Sequence, residues 1–494
     1  MNGRPKRTLA ETLAGWAHAL TLRDVPDRVV AFSRSQLLSQ LGSIRAGLRH
    51  PVGKKIITAF GQPDQADPKR SAYVLSALSI ALDYDDTAYA GHLSHSTVNV
   101  PLAYAADLRL TGTELITAVI TANEFAGRIT AAATLGPLRG QTATHAHLAG
   151  AVAAKLKMVG APADQWVHAL GLALSLPPMP ISRAFFASDA KLLAASVPVV
   201  AGLDACDAAA AGFVGAADLL EHKDGFLARY AEVPLPDAVI AGLGTRWHSE
   251  TFSFKVYPGS AYTSSAIDCA VVLHRQLRDT PVDEISEVVV EGSLFTVLLE
   301  RGTENFVHGA DSTLPALNFS LGYNVATALL TGGLRPDDLA EPAMSDKRRW
   351  RLAERVAVKH DPVLTHRALA GTAPLGEALL QAGPLAAGWL RAQGGDEVAK
   401  WFADPPPPSA SFQAATKQLG AKVTVRLKDG REFSHGRRLA DGAIGWGNGK
   451  ARWELVRAKF LGTGGAADVA EAVGRLETLS AAEVTDVLRR AISD

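Results

Sequence analysis

Cysteine is almost missing from this chain: Cys206 and Cys269 are the only two in 494 residues. Two thiolates cannot supply the three or four ligands of a cysteine-held cluster, which argues against an iron–sulfur centre within one chain. They read instead as buried free thiols in a reducing compartment. Net charge is missing too, with 50 lysines and arginines against 50 aspartates and glutamates. That balance leaves no basic footprint for nucleic acid and no obvious surface for an anionic membrane. No run approaches the ~20 apolar residues that span a bilayer. The basic start, Met1-Asn-Gly-Arg-Pro-Lys-Arg7, leads into no uninterrupted apolar segment of the secretory kind. The expectation is a soluble cytoplasmic protein without nucleic-acid or membrane partners. The G-x-S-x-G elbow, the Walker A loop, the dinucleotide fingerprint and the H-E-x-x-H pair are absent as well. Their absence argues against the commonest hydrolase, kinase and dehydrogenase chemistries.

Apolar residues, by contrast, make up 47% of the chain, ample for a packed core. The first 245 residues or so are alanine-rich and helical in period: Leu37, Leu38, Leu41 and Ile44 recur at helical spacing, as do Leu115, Val119, Ile120 and Phe125. Thr111-Gly-Thr-Glu114 has the form of a capping box. Pro162 and Asp164 announce a helix from about Gln165 to Leu176. Beyond residue 245 the pattern changes. Ile285–Glu291 and Lys422–Leu427 cluster β-branched residues as strands do, and Asp429-Gly430 predicts a hairpin turn after the second. Helices are expected near Ala266–Leu277 and Tyr323–Leu330, giving a separate α+β unit. Pro405 to Pro408 form a stiff spacer. From Trp453 the helical period returns, in a tail expected to pack on the first unit.

The densest set of proton-handling groups is Leu82-Asp-Tyr-Asp-Asp-Thr-Ala-Tyr-Ala-Gly-His-Leu-Ser-His-Ser-Thr97. It follows an apolar helical stretch, and loops fixed at the end of a buried helix are common seats of catalytic groups. A calcium loop would need a central glycine and a terminal glutamate that are missing here. A zinc site on His92 and His95 would need further ligands that the sequence does not nominate. General acid–base chemistry remains, alongside a merely solvated polar loop. Lys191 and Lys255 sit among aromatics, as snorkelling side chains or as fixed cations for a carboxylate. Tyr323 offers a phenol to a ligand or to the core. His145 and His147, two apart ahead of a helix, point to different faces of it.

Together these segments resemble the MmgE/PrpD family, which contains 2-methylcitrate dehydratases, cis-aconitate decarboxylases and iminodisuccinate epimerases. The landmarks begin with Leu37-Leu-Ser-Gln-Leu-Gly42, Ala81-Leu-Asp-Tyr-Asp-Asp-Thr87, Ser94-His-Ser96 and Glu124-Phe-Ala-Gly-Arg128. They continue through Lys191, Lys255-Val-Tyr-Pro258 and Phe319-Ser-Leu-Gly-Tyr-Asn-Val-Ala326 to Trp453-Glu-Leu-Val-Arg-Ala-Lys-Phe460. The resemblance implies a mostly α fold. A large all-helical domain, residues 1–248 completed by 452–494, would carry a smaller α+β lid domain, 249–451. It also implies a homodimer, a small carboxylic acid substrate, and a site with no cofactor and no metal.

Carried over by position, His95, Asp83, Lys191, Lys255 and Tyr323 become the expected catalytic set. Thr87, His92, Gln141, His145 and Ser264 become the expected substrate contacts. In this picture the two lysines bind substrate carboxylates, Tyr323 adds a hydrogen bond, and His95, tuned by Asp83, moves a proton next to a carboxylate. Three departures stand out. Gln141 occupies a position where the family often has histidine, and a neutral amide is neither acid nor base at pH 7; His145 or His147 would have to substitute. Gly259–Ser264 replaces a segment that usually carries cysteine and histidine. Ile80 replaces a common histidine. The expected activity is a dehydratase-like lyase, with isomerase, epimerase or decarboxylase as variants and a non-catalytic carboxylate-binding homologue as the alternative class.

Overall fold

The structure, a computed structural model, describes residues 7–89, 91–136, 144–179, 181–278, 280–402 and 404–493. Helix accounts for 61% of it and strand for 7%, so the fold is mostly α. Its centre is the helix Asp27–Arg49, whose Leu37, Leu38, Leu41 and Ile44 are fully buried. The helix Gly112–Ala132 begins at the expected capping box, with Thr111 Oγ1 accepting from Glu114 N and the Glu114 carboxylate accepting from Thr111 N. The helix predicted over 165–176 runs over Ala163–Ala173, because Pro162 already holds the N-cap. The helix Gly449–Gly462 starts before Trp453, since Asn448 Oδ1 accepts from Ala451 N. It lies along Asp27–Arg49 and buries Val456 and Phe460 in the first core.

One sequence expectation is corrected. The stretch Asp189–Ala210 is long and apolar enough, by length and composition, to cross a membrane. Here its Val199, Gly202, Leu203 and Cys206 pack against the helices His145–Met158 and Ala163–Ala173, so its apolarity serves the core of this fold. Cys206 and Cys269 are both buried free thiols.

Six strands are present among the described residues: β1 Asp86–Thr87, β2 Ser253–Phe254, β3 Ile285–Gly292, β4 Val356–His360, β5 Ala421–Leu427 and β6 Glu432–Arg437. β4, β3, β5 and β6 form one sheet in that order, with β4 parallel to β3 and the other pairs antiparallel. The β5–β6 hairpin turns at Asp429-Gly430, where Gly430 takes φ 89°. Val288, Val290, Val423 and Val425 point to one face, under the helices Ser264–Gln276 and Leu321–Thr331. Val289 and Thr424, which alternate with them and point to the other face, are buried as well, so the centre of the sheet is covered on both sides. Leu369, Leu379, Trp389 and Phe412, although distant in sequence, belong to the first core rather than to this one. The two-residue ladder β1–β2 pairs Asp86 with Phe254 and Thr87 with Ser253, fixing the acidic loop against the segment that carries Lys255.

Candidate active site

The site grows from the end of one helix. Asp67 caps Pro68–Ala81 at its start, with Pro68 in the first turn, where its missing N–H is not needed. The last carbonyls of a helix have no partner within it and carry its negative end. Here a different segment caps each of them in turn. Ile80 O accepts from Lys191 Nζ at 3.0 Å, Ala81 O from Asn318 Nδ2 at 3.0 Å, and Leu82 O from Gly259 N at 2.9 Å. Asp83 O accepts from Lys255 Nζ at 2.7 Å, and Tyr84 O from both Ser43 Oγ (2.9 Å) and Lys459 Nζ. Lysines therefore meet backbone carbonyls at this point as well as carboxylates, Ile80 O accepting from Asp83 N besides.

Asp83 takes φ 49°, a left-handed conformation that aspartate tolerates better than most side chains. Its carboxylate lies 3.2 Å from Lys255 Nζ and 3.6 Å from Lys191 Nζ. Burial opposes its ionisation, but the two ammonium groups prevail and hold its pKa below the usual value. Asp85 is fully buried and shared. Its Oδ1 is 3.3 Å from Lys255 Nζ, while its Oδ2 meets His92 Nδ1 at 2.5 Å and His95 Nε2 at 3.1 Å. Burial again raises its pKa, and His92, Lys255 and His95 together bring it well below the usual range. Asp86 differs. Burial and the charge on Asp85 push it up to about 8, and Ser94 Oγ bridges its two oxygens at 2.7 and 2.6 Å.

His95 sits in the short helix Ser94–Thr97 and is fully buried. Its Nδ1 is 2.8 Å from Ser79 Oγ, itself held by Asn99 Nδ2 at 2.9 Å. Ser79 Oγ also donates to Ser76 O at 3.1 Å, and His95 Nε2 faces Asp85 without the alignment of a hydrogen bond. His92 stacks on His95 at 6.0 Å and is the outer ring, with its side chain 18% exposed. Burial lowers the pKa of His92, and Asp85 works against that. His147 stands edge-on to His95 at 5.5 Å, its pKa far down because burial and two neighbouring imidazoles disfavour a further charge.

Asp85, His92 and His95 offer three ligand atoms within 4.8 Å of one another, a donor set that suits a transition metal in type. Yet one carboxylate oxygen serves both imidazoles, and Lys255 occupies the other. A dication there would face that ammonium directly, so the arrangement fits proton sharing better than metal binding.

Of the expected residues, Asp83, His92, His95, Lys191 and Lys255 form this one connected cluster, and Thr87 adjoins it. Lys255, Thr87, Ser253 and Ser264 line a cleft of about 310 Å³, part of it open to solvent. Tyr323 is not brought to the cluster. Its phenol donates to Asp338 O at 2.7 Å and its ring packs on Trp350 at 4.6 Å in the second core. The expected pairing of His95 with Asp83 is also corrected. The left-handed turn at Asp83 sends that carboxylate to the lysines, and Asp85, two residues on, meets the imidazole. Lys191 faces Ile80 O and Asp83 between the rings of Phe185 and Phe319, with no exposure of its own. His145 and His147 split as helix geometry dictates, His147 toward His95 and His145 toward Phe226 and Tyr230. Gln141 lies outside the described residues.

Two lysines join the site that the sequence reading did not single out. Lys459, within the Trp453–Phe460 landmark, donates to Ser39 Oγ at 2.9 Å and to Tyr84 O. Lys417 donates to Thr87 Oγ1 at 2.5 Å and lines the same cleft. Burial brings each down to about 7. Lys459 had a signal, a charge flanked by the buried Val456 and Phe460 on one helix. Lys417, in Ala415-Thr-Lys-Gln-Leu419, had none.

Residues 11–237 match the description of the MmgE/PrpD N-terminal domain and residues 257–383 that of the MmgE/PrpD C-terminal domain. No curated protein matches the chain at a significant level.

Proposed function

The chain belongs to the MmgE/PrpD family, a family of enzymes, and on that footing we propose that it is a dehydratase-like lyase acting on a small di- or tricarboxylate. The observation that carries this reading is the sharing of Asp85. One of its oxygens meets a cation able to hold an anion, the other meets two imidazoles able to move a proton. Lys255 grips a substrate carboxylate at the cleft, with the hydroxyls of Thr87 and Ser264 as further donors. His92, the outer ring, takes the proton from the carbon beside that carboxylate, the C–O bond to the neighbouring hydroxyl breaks, and the hydroxide leaves as water with the proton returned from His92, while Asp85 and His95 behind it compensate the charge that develops. Lys191 acts through Asp83, keeping that carboxylate ionised and the Lys255 ammonium in place. Fixed cations favour carbanion character, most strongly where water is excluded. We place the reaction in a homodimer, as the family resemblance implies.

The test is an assay of 2-methylcitrate, citrate, cis-aconitate and aspartate-derived dicarboxylates that follows water loss, carbon dioxide release and deuterium uptake from solvent. Water loss is expected. His92→Ala and His95→Ala should each lower turnover by ~10²–10⁴, the usual contribution of a positioned acid or base. Carbon dioxide release would make the enzyme a decarboxylase, and exchange without net conversion an epimerase. Full turnover in both histidine variants would overturn the relay.

A further inference from the structure

We propose that Lys417 is a ligand-binding residue of the cleft, a second cation that closes on a carboxylate already held by Lys255. The inference rests on reading the cleft as a carboxylate site, and it adds a residue which neither the sequence motifs nor the family landmarks single out.

A buried ammonium is costly unless hydrogen bonds and counter-charge replace its water. Four lysines are buried in this region. Lys191 has Ile80 O and Asp83, Lys255 has Asp83 and Asp85, and Lys459 has Tyr84 O, Ser39 and the Tyr84 ring face at 4.2 Å. Among the described residues, Lys417 Nζ has one hydrogen-bond partner, the neutral hydroxyl of Thr87. It is nonetheless only 6% exposed, and its backbone is pinned by donation from its N–H to Ile444 O at 3.0 Å. Three donors with one neutral acceptor, fixed at the wall of a cleft that also presents Lys255, Thr87 and Ser264, make an incomplete anion site. The missing component is a carboxylate oxygen pair. Two cations on one cleft hold a carboxylate more firmly than Lys255 alone.

Binding is then coupled to protonation. Burial first, and the charge of Lys255 second, bring Lys417 down to about 7, while Asp85, Asp83 and Asp86 oppose the shift. Asp441, across the cleft, is paired to Arg437. At pH 8 the free site therefore holds a largely neutral amine, and an arriving carboxylate draws a proton onto it.

The experiment titrates tricarballylate, an unreactive tricarboxylate, into the full-length protein at pH 8 by calorimetry, in two buffers of different ionisation enthalpy. Wild type is expected to bind with uptake of about one proton per site. Lys417→Met should bind at least tenfold more weakly and without uptake, and Lys255→Met should also lose affinity. If Lys417→Met matches wild type while Lys255→Met fails, the role of Lys417 is wrong and the carboxylate site stands. If wild type binds no di- or tricarboxylate at all, the site reading falls and this inference with it. Should the Lys417 variant not fold, cyanate labelling of wild type decides. Carbamoylation of Lys417 that tricarballylate suppresses supports the proposal, and carbamoylation that tricarballylate leaves unchanged overturns it.

Discussion

Asp86 is the residue whose protonation the fold changes most visibly. Its side chain is fully buried beside the ionised Asp85, and its acid form is favoured up to about pH 8. The sign follows from linkage. Between about pH 4 and 8 the unfolded chain releases this proton and the folded chain keeps it, so the contribution to stability present in acid is lost as pH rises toward 8. The slope from this group alone is up to ~1.4 kcal/mol per pH unit. Asp86→Asn copies the protonated form and does not titrate. Its thermal stability relative to wild type is therefore expected to improve steadily from pH 5 to pH 8 and then level off. Melting curves at pH 5, 6.5, 8 and 9 check this, and a gap that stays constant across them would mean that Asp86 is ionised in the fold. At this scale the sequence was partly legible. A run of three aspartates and two histidines marks a place for proton chemistry whatever the fold. Which aspartate meets which partner was not legible, because one left-handed residue, Asp83, rotates the register by a turn that composition does not record.

Elements hold these residues by close approach. The helix His145–Met158 passes so near the short helix bearing His95 that a β-carbon on Gly150 would lie 2.2 Å from Ser96 Oγ and 3.1 Å from Thr97 Cγ2. Ser96 cannot move freely, since its hydroxyl donates to Leu93 O at 3.1 Å and lies 3.4 Å from His147 Nδ1. Gly150→Ala should therefore push Ser94–Thr97 away, costing ~1–3 kcal/mol as overpacked cores do. Turnover should fall as well, because His95 shifts against Asp85. Melting temperature and activity measured together test the point, and an alanine variant equal to wild type in both would show that the helices can spread freely. The small residues of 146–160 did signal close helix packing in the sequence. They did not say that the partner would be the histidine helix, because that contact joins segments fifty residues apart and periodicity reports only one segment at a time.

For the whole molecule, the decisive feature is how often the chain returns to its first core. Val456, Phe460, Val469, Val473, Leu476 and Val484 from the tail, and Leu379, Trp389 and Phe412 from the middle of the chain, all complete the core begun by Asp27–Arg49. Lys459 also carries the tail into the candidate site through Tyr84 O. Burying one such side chain fully contributes ~1.5–3 kcal/mol, whereas a whole domain is typically stable by only 5–15 kcal/mol. Losing the six tail residues alone thus removes about as much as the fold has in reserve. A fragment of residues 1–248, although it contains Asp83, Asp85, His92, His95 and Lys191, is expected not to fold on its own. It should lack near-ultraviolet circular dichroism and a cooperative melt, while the full chain unfolds in a single transition. A fragment that melts cooperatively would mean that the tail and the middle segment only decorate a core already complete. The returning tail was visible in the sequence as renewed helical period after Trp453. The share of the core supplied by residues 369–415 was not, because their composition resembles the neighbouring α+β segment and only the folded packing assigns them to a core.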